Sequence, residues 1–217
     1  MKIMSVNVGL PREVAWQGKR VTTGIFKEAV DSAVMLRTLN LDGDKQADLS
    51  VHGGAQKALY AYPSEHYEYW RGELPGVDLP PGMFGENLTT EGMFEDAVNI
   101  GDRFRIGGAE VMVTQPRLPC YKLGIKFGRA DMVKMFLTSR RTGFYFAVLR
   151  EGMVGAGDDV ELIGREEQSV SVADITRLYA FEKHDLTTMR RAVKVSALPE
   201  GWKDYFQQQI DKDENTD

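Results

Sequence analysis

Residues 2–8 alternate between polar and apolar side chains, with Ile3 beside Met4 leaving the inward face ambiguous, and the run breaks at Gly9-Leu10-Pro11. A period of two predicts a strand. Further strands are expected over residues 33–39, ending at the turn Asp42-Gly43-Asp44, and over Leu59-Tyr60-Ala61-Tyr62, stopped by Pro63. The clearest hairpin joins Arg103-Phe104-Arg105-Ile106 to residues 109–114 through Gly107-Gly108, a two-residue loop that tolerates the positive φ of a tight turn. Strands over residues 144–149 and 160–163 close the series. Helical spacing is rarer. Ser64 is placed to cap a helix over residues 65–71, with Tyr67 and Trp70 three apart, and residues 131–138 put Met132, Met135 and Phe136 on one stripe.

Near Gly164-Arg165-Glu166 the pattern changes to a helical period. Ser171 caps one expected helix, Asp185 a second over residues 186–193, and Pro199 starts a third carrying Trp202, Tyr205 and Phe206. The polar tail over residues 211–217 is expected to fray. The reading is mainly β: a barrel or sandwich with inserted short helices over residues 1–165, then a small three-helix bundle over residues 166–217. So small a bundle should dock on the barrel rather than fold alone.

Composition narrows the function classes. In 217 residues, 42% hydrophobic and 27% charged content is ordinary for a globular protein, and a formal charge of −5 lacks the basic surplus of a nucleic-acid binder. No apolar run is long enough to span a bilayer and none resembles a signal peptide, so a cytoplasmic protein without membrane attachment is expected. A single cysteine excludes an internal disulfide, an iron–sulfur cluster and a Cys-rich zinc site.

That cysteine, Cys120, follows a strand in a loop stiffened by Pro116 and Pro119 and flanked by Arg117 and Lys122. Positive neighbours favour the reactive thiolate. A free cysteine is equally often a small buried hydrophobe, and the basic, proline-held setting is what counts against that. His52-Gly53-Gly54 with Lys57 offers backbone N–H groups, a histidine and a cation to an anion, or is simply a glycine turn at the surface. Asn87, in Phe84-Gly85-Glu86-Asn87-Leu88, could read a pterin or purine edge or hold a turn. Arg140-Arg141 could grip phosphate or face solvent. His66 and His184 read as structural, and no HExxH, Walker A or GxGxxG motif is present. Together the loops collect a soft sulfur, a histidine, an amide and cations, which suits an anionic cofactor carrying a thiophilic metal.

In order, Asp42-Gly43-Asp44-Lys45-Gln46-Ala47-Asp48, His52-Gly53-Gly54, Lys57 through Pro63, His66-Tyr67, Phe84 through Leu88, Gly101-Asp102, Gln115-Pro116-Arg117, Pro119-Cys120 and Lys122-Leu123 resemble the signature of the MOSC family. The terminal helices resemble the three-helix domain of its YiiM-like branch. The resemblance implies a MOSC β-barrel that binds molybdenum cofactor (a molybdenum–pyranopterin), with Cys120 as metal ligand and His52, Asn87 and Arg117 in the pocket. Charge adds Lys57, Lys122 and Arg141 as cofactor-binding candidates and exposed backbone N–H groups add Gly53 and Gly54, with His52 as the candidate proton donor. The resemblance also implies reduction and detoxification of N-hydroxylated compounds such as hydroxylaminopurine-type base analogues. The chain lacks the fused ferredoxin-type domain of some relatives, so a separate flavin or iron–sulfur reductase is the expected electron donor. The alternative is a non-enzymatic carrier of cofactor or sulfur. The terminal helices are expected to dock that donor, or a second copy of the chain in a homodimer.

Overall fold

Strand β1 (Lys2–Val8) lies one place from the edge of an eight-stranded sheet that curls most of the way round. The computed structural model describes residues 1–47 and 53–215. Next come the hairpin of β2 (Arg12–Trp16) and β3 (Lys19–Thr23), then β4 (Glu28–Val30) and β5 (Val34–Leu36). After β6 (Leu59–Pro63), helix α1 (His66–Glu73) leads to β7 (Leu88–Glu91), β8 (Arg103–Ile106) and β9 (Ala109–Pro116). Helices α2 (Tyr121–Phe127) and α3 (Met132–Ser139) precede β10 (Phe144–Arg150), β11 (Gly152–Val154) and β12 (Val160–Gly164). The chain ends in α4 (Val172–Ala180), α5 (Leu186–Ala192) and α6 (Glu200–Glu214). Among the described residues, no helix is long and apolar enough to cross a membrane.

The large sheet runs β12-β8-β9-β10-β6-β7-β1-β4. Its one parallel pair, β6 with β7, follows from connectivity: a hairpin cannot join parallel strands, and α1 with the long segment after it makes the crossover. The expected barrel is not closed by a continuous ladder. The start of β1 meets the segment before β12 through an isolated Lys2–Asp159 bridge, while β4 remains an edge.

The β8–β9 hairpin forms as its alternation dictates, Phe104 and Ile106 inward and Arg103 and Arg105 outward. At Gly107, φ is +53° and a Cβ would come within 2.6 Å of the Met153 carbonyl, so β11 packs against the turn only because glycine is there. Other expectations need correction. The strand expected over residues 33–39 is only β5, because the chain turns at residues 37–42 to return Asp42 N–H to the Met35 carbonyl at 2.9 Å. Ser64 does not cap α1, whose N-cap is Glu65; its hydroxyl turns to the Glu65 carboxylate instead. The tail does not fray at residue 211, since α6 continues to Glu214.

Two cores result. The larger fills the sheet and continues into the terminal helices through Val172, Ile175, Leu178, Met189, Phe206 and Ile210. Each large side chain there contributes roughly 1.5–3 kcal/mol by leaving water, which is why the bundle docks. Ser171 accepts from Asp174 N–H and Asp174 answers with the reciprocal bond, a complete capping box that starts α4. The smaller core is aromatic and lies under α1 and α3. Tyr62 stacks on Phe84 at 4.7 Å, Trp70 on Phe136 at 5.9 Å, and the Trp70 indole N–H donates to the Tyr62 hydroxyl at 2.6 Å.

Glu86 ties the loop before β7 to this core. Its carboxylate accepts from Gly82 N–H at 2.8 Å, Phe84 N–H at 3.0 Å, the Thr89 hydroxyl at 3.0 Å and the Tyr67 hydroxyl. Burial nevertheless raises its pKa, outweighing those donors. The raised folded-state value means that its contribution to stability is full below the unfolded carboxylate pKa of about 4.3. It is then lost as pH rises through the folded value. The Tm of the wild type minus that of Glu86→Gln should therefore shrink as pH rises from the acid side. A difference independent of pH would take Glu86 out of that titration.

Candidate active site

Cys120 stands where the Pro116–Pro119 loop turns into α2, as the N-cap of that helix, half-buried. The loop is held at its start: Arg117 N–H donates to the Gly143 carbonyl at 3.2 Å, and Gly143 N–H donates to Glu95 Oε1 at 2.7 Å. Gly143 has φ +61°, and a Cβ there would overlap the Ala61 carbonyl oxygen, so only glycine lets β10 press this closely on β6. The other Glu95 oxygen meets His66 Nε2 at 2.8 Å, which gives His66 the structural role expected of it.

Behind the thiol is a narrow inner chamber of about 100 Å3 rich in cations. Arg117, Lys122, Lys57 and Lys27 line it with Asn87, Gly53 and Tyr145. Arg117 is buried over the faces of Phe136 at 5.0 Å and Tyr60 at 5.2 Å. Its Nη1 is buried with no hydrogen-bond partner. Burial works against the guanidinium charge, but Tyr60, Tyr145 and Cys120 around it outweigh that and leave its pKa raised. A buried, incompletely satisfied cation costs stability unless a ligand completes it. Lys122 is buried on the first turn of α2. Lys57 has its pKa lowered by burial.

In front of the thiol a wider outer cleft of about 820 Å3 opens between the sheet and the terminal helices. Cys120, Lys57, Tyr145, Leu118 and Gly53 border both spaces, so the sulfur stands at their junction. Gly54 lines the outer cleft alone. The Tyr145 hydroxyl oxygen accepts from the Arg117 side chain, and burial raises the Tyr145 pKa, so the phenol stays neutral and keeps its own proton at the same junction.

The structure thus brings together Cys120, Arg117, Lys122, Lys57, Gly53, Gly54 and Asn87. His52 lies outside the described residues. Two readings change. Asn87 borders the inner chamber, but its amide is committed to the framework: Oδ1 accepts Tyr60 N–H at 3.2 Å and Nδ2 donates to Asp44 Oδ2 at 2.9 Å and to the Asn7 carbonyl at 3.3 Å. It positions strands rather than reading a ligand edge. Arg141 lines neither space. Its guanidinium lies 3.9 Å over Tyr69 and donates to the Ser139 carbonyl at 3.0 Å, while Arg140 covers Phe181 at 4.3 Å. The two arginines part because Arg140, at φ +60°, closes α3 in a left-handed turn, so they form no fork.

Sequence reasoning missed Lys27, Tyr145 and the aromatic residues Tyr179, Trp202 and Tyr205 of the outer wall. The one signal for Lys27 was Asp44, its buried partner in the first signature segment. Among the described residues, no group of three or more His, Cys, Asp or Glu side chains could hold a metal ion.

A model of the MOSC domain matches residues 48–161, and one of the YiiM-like 3-alpha helix domain matches residues 170–213. The YflK protein of Bacillus subtilis is 43% identical over 210 residues, covering 97% of this chain and 95% of its own length. A protein named reductase from Gibberella moniliformis is 33% identical over 179 residues, 81% of this chain but 32% of that longer protein. YiiM from Geobacillus stearothermophilus has a solved structure that superposes with a TM-score of 0.80 at 34% identity, covering 96% of this chain and 98% of that one.

Proposed function

This chain belongs to the MOSC family, in its YiiM-like branch, and on that premise we propose that it is a molybdenum-cofactor-dependent reductase of N-hydroxylated compounds. The observation that carries the proposal is the pairing of one soft sulfur with a buried cation whose Nη1 has no partner, in a chamber lined by further lysines. The residues fit the group. The cofactor would bring metal ligands of its own, so the protein would need to add one thiolate rather than a cluster of side chains. Cys120 would be that ligand. Arg117, Lys122 and Lys57 would offset the negative charge of the pterin's phosphate, with Arg117 Nη1 finding the partner it lacks.

When bound, the cofactor supplies two-electron redox chemistry at a sulfur-ligated metal. Cleaving the N–O bond of a hydroxylamine or amidoxime consumes two electrons and two protons and leaves an amine or amidine and water. Lys57 and Tyr145 stand at the junction, where a departing hydroxyl must collect a proton. The chain has one cysteine and so no place for an iron–sulfur cluster; a separate flavin or iron–sulfur reductase is the electron source we propose. The name of the Gibberella relative supports a reductive role.

The test uses full-length protein purified from a host rich in molybdenum cofactor, assayed for molybdenum, pterin and conversion of N-hydroxylaminopurine to aminopurine with reduced viologen. Near-stoichiometric metal and steady amine production are expected. Stoichiometric metal without product from any N-hydroxylated compound would leave a non-enzymatic carrier. Folded protein without metal or pterin would overturn cofactor binding itself.

A further inference from the structure

A groove of about 480 Å3 lies between the tip of the β2–β3 hairpin and the helix pair α2–α3. Trp16 and Val21 of the hairpin line it, with Tyr121 on the first turn of α2 and Ala130 and Val133 around the start of α3. Lys19, paired across the hairpin turn with Trp16, borders it as well. The base of the hairpin rests on the same helix: Arg12, at 3.6 Å, and Lys126 of α2, at 5.0 Å, both meet the Phe26 ring. The groove shares no lining residue with either space around Cys120, yet it reaches the residue directly after that cysteine. Tyr121, at that position, is 53% exposed.

Charge sets this face apart. Residues 12–22 and 121–134, leaving out the buried Lys122, carry six basic and two acidic side chains in a protein of formal charge −5. Both acids are already used within the face: Glu13 pairs with Arg20 at 3.0 Å and Asp131 with Arg129 at 2.6 Å. Lys19 and Lys134 form no ion pair among the described residues, and both are exposed. Residues 166–217 are the opposite, with seven basic and eleven acidic side chains. An apolar, aromatic centre inside a cationic rim is the anatomy of a protein interface, and it favours a partner of negative charge. We infer that this groove docks the electron donor, and that the donor is a small acidic flavoprotein exposing the edge of its flavin ring. The inference rests on the reductase reading and adds the donor's class and its surface. The groove's centre selects the flavin: an apolar ring edge can lie on Tyr121 and Trp16, whereas an iron–sulfur cluster offers no planar apolar edge. Two reduced carriers, each giving one electron, supply the two electrons that N–O cleavage consumes, with the two protons drawn from water. A donor seated here adjoins the residue next to Cys120 and leaves the outer cleft open to substrate. The acidic terminal helices, expected from the sequence to receive the donor, would repel it.

Lys19→Glu with Lys134→Glu reverses two charges on this face, and Lys183→Glu with Lys194→Glu makes the same change at exposed positions of the terminal helices. Tyr121→Ser keeps every charge and removes the ring. Full-length wild type and these variants are titrated calorimetrically at low ionic strength, where surface charge is least screened, with an acidic flavodoxin and with a [2Fe–2S] ferredoxin of similar net charge. Turnover of the cofactor-loaded proteins is followed with reduced flavodoxin and with reduced viologen. Flavodoxin is expected to bind wild type, about tenfold or more weakly after the Lys19 and Lys134 reversals and about fivefold or more weakly in Tyr121→Ser. The Lys183 and Lys194 reversals should change binding far less. Viologen-driven turnover of the Lys19 and Lys134 variant should be unchanged, because so small a donor needs no docking surface. No flavodoxin binding to wild type, equal loss in the two double variants, or full binding by Tyr121→Ser would overturn the assignment of the groove. Ferredoxin binding as tight as flavodoxin binding would overturn the choice of a flavin carrier. Binding that follows the expected pattern while neither donor drives turnover would instead count against the reductase reading and leave the docking surface standing.

Discussion

Cys120→Ser, expressed with abundant molybdenum cofactor, should purify with at least about tenfold less molybdenum per chain than wild type. The argument starts from ligand chemistry. A serine hydroxyl is a poor donor to a thiophilic metal, and it does not ionise in the pH range in which thiols do. Disturbing a group that merely orients a metal ligand already costs about 10–100-fold in affinity, and removing the ligand should cost no less. Pterin content should fall less, because Arg117, Lys122 and Lys57 remain. The fold should be unaffected, since Cys120 is half-buried and outside both cores. Elemental analysis and pterin fluorescence on matched preparations check this. A variant that keeps its molybdenum would take Cys120 out of the metal's coordination sphere and leave it as a cavity-lining thiol.

The second large effect is on stability. Lys27 and Asp44 form an ion pair in which the side chains are 7% and 1% exposed. Asp44 also accepts from Gly9 N–H at 2.8 Å and Asn87 Nδ2 at 2.9 Å, joining the chain after β1, the start of β4 and the loop before β7 behind the inner chamber. Desolvation lowers the Lys27 pKa even against the pull of Asp44, so the charges are held there by each other. Lys27→Met leaves the carboxylate buried without its cation, a change that costs about 3–5 kcal/mol. For a chain of this size that is about 10 °C in Tm. Urea unfolding of the variant without cofactor measures it directly. A loss under about 1 kcal/mol would place the pair with solvent-screened surface bridges. Recovery of stability on combining Lys27→Met with Asp44→Asn, which removes the charge but keeps an acceptor for Gly9 N–H, would show that the orphaned charge, rather than lost packing, is the cause.

Some elements were legible because their determinants are local. The β8–β9 hairpin follows from alternation around Gly107-Gly108, and α4 and α5 begin at Ser171 and Asp185, whose side chains accept from N–H groups three residues on. Others were not, for reasons visible in the structure. Helix α2 has seven residues with Gly124 inside it; that glycine lies against the Arg129 carbonyl, where a Cβ would come within 2.9 Å, so the packing that sets the helix comes from outside it. The β2–β3 hairpin buries little on either side and shows no apolar alternation to detect. Strand β7 is only four residues and depends on β1 and β6 for its ladder.

The site divides the same way. The sequence by itself determined the chemistry on offer: one thiol, the cations flanking it in the same loop, and the glycines near Lys57, all carried by contiguous residues. Only the tertiary structure decided how they are used. It committed the Asn87 amide to Tyr60 and Asp44, turned Arg141 onto Tyr69, and brought Lys27 and Trp202 to the two sides of Cys120 from opposite ends of the chain. The physical reason is one of range. Periodicity, caps and turns depend on neighbours a few residues away, whereas burial and hydrogen-bond partnership depend on which distant strands pair in which register.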